Sequence, residues 1–144
     1  MRRLLPSLLL LACDASEPCG RETCDDPALD LSLQGSDWPA GAWSLRLTLG
    51  DDVHTCLFNL PVTDLDAAYC AEGRVTLSFT DGSPTSARLG GEPGASVDVL
   101  LTHTADEITT TVASATLPVE ADRVFPNGPG CPPGCDVYTA ALTF

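Results

Sequence analysis

The chain contains no lysine: all seven of its basic residues are arginine, set against 20 acidic residues, for a formal net charge of −13 over 144 residues. A surface so poor in positive charge repels phosphate backbones, which excludes a nucleic-acid-binding function. Long apolar runs are also missing. The greasiest stretch, Leu4 to Ala12, is interrupted by Pro6 and Ser7 and falls far short of the roughly 20 residues that a membrane-crossing helix needs. Internal repeats and low-complexity tracts are absent, and helical periodicity nearly so. No catalytic signature occurs either: there is no Gly-x-Ser-x-Gly elbow, no His-Glu-x-x-His pair and no glycine-rich phosphate loop. Serines, two histidines and many carboxylates make a hydrolase compositionally possible. No motif singles one out.

What the chain does have is cysteine, seven residues in all, a high and odd number. The first, Cys13, closes the segment MRRLLPSLLLLAC, in which two arginines precede a short apolar stretch, the layout of a secretory signal. Leu10, Leu11, Ala12 and Cys13 resemble the lipobox of bacterial lipoproteins. That resemblance implies a diacylglycerol on the Cys13 sulfur, removal of residues 1–12, and a protein tethered to the membrane of the cell envelope. Two or more acyl chains on one residue anchor durably, where a single chain binds only marginally. Arg2 and Arg3 would leave with the leader, so the remaining chain sets five arginines against 20 acidic residues, or −15. Asp14 resembles an inner-membrane retention signal of some bacteria, and the choice between inner and outer membrane stays open.

Six cysteines remain: Cys19, Cys24, Cys56, Cys70, Cys131 and Cys135. An even set in an exported chain reads as three disulfides. Cys56 and Cys70 flank a short connection whose closure is worth about 3 kcal/mol in the chain-entropy model, and they are the expected pair. The other four suit either two local loops or two long-range links, since six cysteines allow about 15 connectivities. Cys-x4-Cys and Cys-x3-Cys with His54 and His103 also offer zinc-ligand types, but at unusual spacings, and pairing explains the cysteines without a metal. No cofactor is expected.

Beyond the leader, the hydrophobic period is two. Leu29, Leu31 and Leu33 alternate with Asp30 and Ser32, and Trp43, Leu45, Leu47 and Leu49 with Ser44, Arg46 and Thr48. Similar strand patterns mark VHTCLFNL, RVTLSF, TSARLG, SVDVLLTH and VYTAALTF, and EITTTVAS is rich in β-branched residues that suit a strand, with Gly, Pro and Asp at the joints. About eight strands at this spacing predict an all-β fold, an antiparallel β-sandwich of immunoglobulin-like or related Greek-key type, stapled by disulfides. The one helical candidate is TDLDAAYC, residues 63–70, which opens on a capping Thr63. The organisation expected is a leader over 1–12, a cysteine-containing tether and first strand over 13–37, and the sandwich domain over 38–144.

Several groups invite a functional reading. Asp51, Asp52, Asp64, Asp66 and Asp81 fall in expected loops where calcium ligands converge in other proteins, although the twelve-residue calcium loop is absent and acidic turns are commonly just solvated. Trp38 and Trp43 bracket PAGA and suit either an aromatic binding face or a core anchor. His54 and His103 sit in expected strands as ordinary surface or half-buried residues. FPNGPGCPPGC, residues 125–135, is stiffened by four prolines. Together with the early cysteine pair and TCLFNLP, that stretch resembles small cysteine-containing lipoproteins of GC-rich bacteria, a likeness that implies location and architecture alone. The expected function is a non-enzymatic binding or envelope-structural module that meets an envelope protein or glycan through loops at one end. An inhibitor or accessory subunit presenting the rigid 125–135 loop, and a hydrolase, are the alternatives.

Overall fold

The structure, a computed structural model, describes residues 19–62 and 68–144. Residues 1–12, Cys13 and Asp14 lie outside the described residues, as do Thr63, Asp64 and Asp66.

Alternating sequence becomes alternating burial. Strand β1 (Ala28–Gln34) buries Leu29, Leu31 and Leu33 and turns Asp30 and Ser32 outward. Strands β2 (Gly41–Leu49) and β3 (Asp52–Leu60) form a hairpin, followed by short β4 (Ala68–Cys70). Gly50, the first of the two loop residues between β2 and β3, has a φ of 58°, the backbone state a tight hairpin turn asks of glycine. Strands β5 (Val75–Thr80) and β6 (Ser83–Gly90) make a second hairpin across Asp81 and Gly82, both at positive φ. Strands β7 (Ser96–Ala105) and β8 (Ile108–Pro118) make a third, and β9 (Glu120–Val124) and β10 (Cys135–Thr143) flank the proline-rich loop.

The strands form an all-β sandwich of two five-stranded sheets, sheet A in the order β5-β6-β1-β10-β9 and sheet B in the order β4-β3-β2-β7-β8. Leucine and valine from the two inner faces, with Trp43 and Phe58, make one core. Each leucine taken from water to such a site stabilises the fold by roughly 1.5–3 kcal/mol.

Among the described residues ten strands stand where about eight were expected. The two additions are β4, three residues long, and β9, whose EADRV carries no apolar alternation and is exposed throughout. Ala68–Cys70, read as the end of a short helix, is a strand instead. Its pairing with β3 and the Cys56–Cys70 link outweigh the weak local preference of two alanines for a helix. One pair departs from the antiparallel rule: β1 and β10 run parallel, Leu29 opposite Tyr138 and Leu33 opposite Leu142.

Parallel neighbours enter the sheet at the same end, which brings together two segments more than a hundred residues apart. Cys24, before β1, bonds to Cys135 at the start of β10, and Cys19 bonds to Cys131. Their sequence separations, 111 and 112, nearly continue the offset of the Leu29–Tyr138 pair. The two disulfides therefore extend the parallel ladder beyond the sheet as covalent rungs. The opposite end of the sandwich is aromatic: Trp38 meets Trp43 at 4.8 Å and the edge of Phe144 at 5.0 Å between ring centroids. Three disulfides in a chain of this size belong to an oxidising, extracytoplasmic compartment.

Candidate functional site

At the stapled end the lead-in strip 19–27 crosses the start of β1 and β10 and is clamped to the proline-rich loop by one side chain. Asn127 Oδ1 accepts the Glu22 amide proton at 2.7 Å, while its Nδ2 donates to the Glu22 carbonyl at 2.9 Å and to the Pro132 carbonyl at 3.2 Å. The amide thus stands in for a stretch of strand backbone, satisfying donor and acceptor of the same residue. Gly20 leaves the space this clamp needs, because a Cβ there would sit 2.6 Å from Asn127 Oδ1. Within the loop, Gly128 and Gly130 adopt positive φ, and short backbone bonds from Gly128 to Phe125 and from Cys131 to Gly128 tie it down.

Between this strip and the outer surface of sheet A lies a cleft of about 610 Å³, walled by Arg21, Thr23, Asp25, Asp30, Arg88 and Asp136 among others. Arg88 Nη1 approaches Asp30 Oδ2 at 3.3 Å as a cross-strand pair between β6 and β1. Cys24 and Cys135 line the same cleft, and both are spent in a disulfide. Their sulfurs therefore offer neither a nucleophile nor a metal-binding thiolate. Opposed charges on a cross-linked frame suit the binding of a polar group.

No family model, curated protein or solved structure matches the chain.

The remaining sequence-derived residues are scattered. Cys56 and Cys70 face each other across β3 and β4 with 4.0 Å between Cα atoms, Cys56 inside the core. The Cys-x4-Cys and Cys-x3-Cys pairs are each split between the two long-range disulfides. His54 is buried rather than superficial: its register opposite Leu47 turns it toward the core at the stapled end. His103 lies on the other side of β2, opposite Trp43 and tilted against its ring at 4.6 Å between centroids, with Nε2 3.0 Å from the Ala40 carbonyl. Four residues of β2 separate the two registers, about 13 Å along the strand, so the imidazoles share no site. Asp51 and Asp52 stand at the stapled end and Asp81 at the aromatic end, opposite ends of the sandwich. Among the described residues, no three histidine, cysteine or acidic side chains converge as a metal site.

Trp43 is the core anchor, buried and donating Nε1–H to the Pro39 carbonyl at 3.0 Å. Trp38 is half-buried beside it and helps close the aromatic end of the core. Asn127, Gly20 and Arg88 escaped the sequence reading. Asn127 lies within PNGPG, where an asparagine signals a turn, and only the long-range fold brings Glu22 against it.

Proposed function

We propose that this chain is a lipid-tethered extracytoplasmic β-sandwich acting as a non-enzymatic binding or structural module of the cell envelope. The observation that supports it best is the cysteine partition: six residues pair among themselves in the fold, and Cys13 is the odd one left. Six residue steps from Cys13 to Cys19 reach at most about 21 Å. A lipid on Cys13 therefore keeps the stapled end near the bilayer, and the acidic body stands off from anionic head groups. The loops at the aromatic end, residues 35–40, 81–82 and 106–107, then face outward to an envelope protein or glycan. The same geometry turns the 125–135 loop toward the membrane, which weighs against presenting it to a distant enzyme.

The test is detergent phase partition combined with mass spectrometry of the Cys13 peptide. Wild-type chain is expected in the detergent phase with a diacylglyceryl group on Cys13 and residues 1–12 removed, and Cys13→Ser in the aqueous phase. A Cys13 peptide with an unmodified thiol and its leader attached would refute the proposal.

A further inference from the structure

Negative charge is not spread evenly over this molecule. It collects in the lead-in strip, in the loops at both ends and on β9, where Glu120 and Asp122 point away from the core. Sheet A carries Asp30, paired with Arg88, on its outer surface and has Glu22, Asp25 and Asp26, with Arg21, close by in the strip. Sheet B differs. Its inward residues, such as Leu45, Leu47, Phe58, Val97, Val99 and Leu101, are buried, so the alternate positions face solvent. On β2, β3, β7 and β8 those outward positions are hydroxyl-bearing, amide, small or apolar. Arg46 and Asp98 are the two charged side chains among them. Leu57 and Tyr69 lie directly opposite each other on β3 and β4, exposed by 52% and 68%, with Val53 exposed nearby.

We propose that this outer surface of sheet B associates with the same surface of a second copy of the chain, face to face about a two-fold axis parallel to the strands. Three observations carry this. The first is charge: with a net −13 on each copy, approach through the lead-in strip, the end loops or β9 brings acidic groups together, whereas the sheet B surface carries one charge of each sign. The second is self-complementarity. Arg46 pairs with Leu100 across β2 and β7, and Thr48 with Asp98. An axis between these two strands sets Asp98 of the second copy over Thr48, two residues or about 7 Å along the strand from Arg46. That is within reach of an arginine side chain, and symmetry makes the contact twice. Arg46 has no ion-pair partner among the described residues, while Asp98 Oδ1 accepts a hydrogen bond from Thr116 Oγ1 that holds it in place.

The third is area. Four strands about 4.8 Å apart and about nine residues long cover roughly 600 Å² per copy, or about 1,200 Å² in total, the threshold of a standard specific interface. Pairing through the free edge of β8 fits less well. An antiparallel match centred on Ala113 would set Asp106 against Glu120 of the other copy, acid on acid. An axis along the strands also leaves both stapled ends on one side, as two chains tethered to one bilayer require.

Sedimentation of the oxidised full chain carrying Cys13→Ser tests the inference. A dimer mass is expected at about 100 µM. Arg46→Asp and Asp98→Arg, each of which sets like charges together, should weaken association about tenfold or more, and the double swap should restore it. Leu57→Glu, at an exposed position on the solvent side of β3, should weaken association as well. Near-ultraviolet circular dichroism checks that each variant is folded. A monomeric parent chain at that concentration overturns the proposal. So does a dimer that ignores the single changes, as one built through the β8 edge would, or a double swap that stays monomeric.

Discussion

At the scale of single residues, Asn127 and Gly41 show how much of this fold rests on side chains without a motif. Asn127 makes three hydrogen bonds to two different segments, so its loss leaves the Glu22 amide and carbonyl without their partner. Asn127→Ala is expected to destabilise the protein by about 1 kcal/mol, because each exposed hydrogen bond trades against water. The denaturation midpoint should fall with unchanged slope, and the Glu22 amide should exchange faster. An unchanged exchange rate at Glu22 would show that the clamp does not hold the strip. Gly41 has a φ of 137°, and a Cβ there would lie 2.6 Å from His103 Nε2 and 2.7 Å from the Thr104 carbonyl oxygen. Glycine at this point lets the start of β2 pass close to β7. A sequence reader sees only PAGA.

At the scale of elements, the three hairpins differ in how well their turn residues suit them. Asp81-Gly82 fills a two-residue turn at positive φ with a favoured pair, whereas Asp106-Glu107 adopts φ values of 50° and 65° with two side-chain-bearing residues. Glutamate in the left-handed region costs about 1 kcal/mol relative to its ordinary conformations. Glu107→Gly should therefore raise stability by about 1 kcal/mol and the melting temperature by a few degrees. A variant that melts at or below the parent would mean that the lost side chain or the greater chain freedom of glycine outweighs the relieved strain. The edges of the sheets are guarded by different devices: β4 is very short, β8 carries a bulge at Val112, and β9 is charged.

At the scale of the whole molecule, the parallel β1–β10 pair is the least local feature of the chain and the one most heavily cross-linked. Cys19–Cys131 and Cys24–Cys135 close nearly the same loop, of 112 and 111 residues. With one of them intact, the other closes only a ring of about ten residues and contributes about 3 kcal/mol in the chain-entropy model. Replacing either pair by serines should cost that amount. Replacing both also opens the long loop and should cost about 7 kcal/mol, more than twice the single loss. Equal increments in chemical denaturation would show that the two links act independently and that the shared-loop account fails.

Much of this architecture was legible in advance. Leu29, Leu31 and Leu33, or Val97, Val99 and Leu101, state their strand and their buried face by themselves, because side-chain direction alternates with every residue whatever the neighbours are. Gly50 and Asp81-Gly82 mark their turns through local backbone sterics, which act over two residues. The short spacing of Cys56 and Cys70 made them the natural pair. By contrast, β9 has no apolar period to announce it, and Ala68–Cys70 is a strand only because β3 lies alongside. The register of β1 on β10, the Asn127 clamp, the cleft beneath the lead-in strip and the neutral surface of sheet B all join residues far apart in the chain. Composition and periodicity thus settled the class of fold, since hydrophobic burial and steric turn preferences are local properties. Tertiary structure alone decided which strands became neighbours and which surfaces the charges left clear, since those depend on long-range pairing that no short stretch encodes.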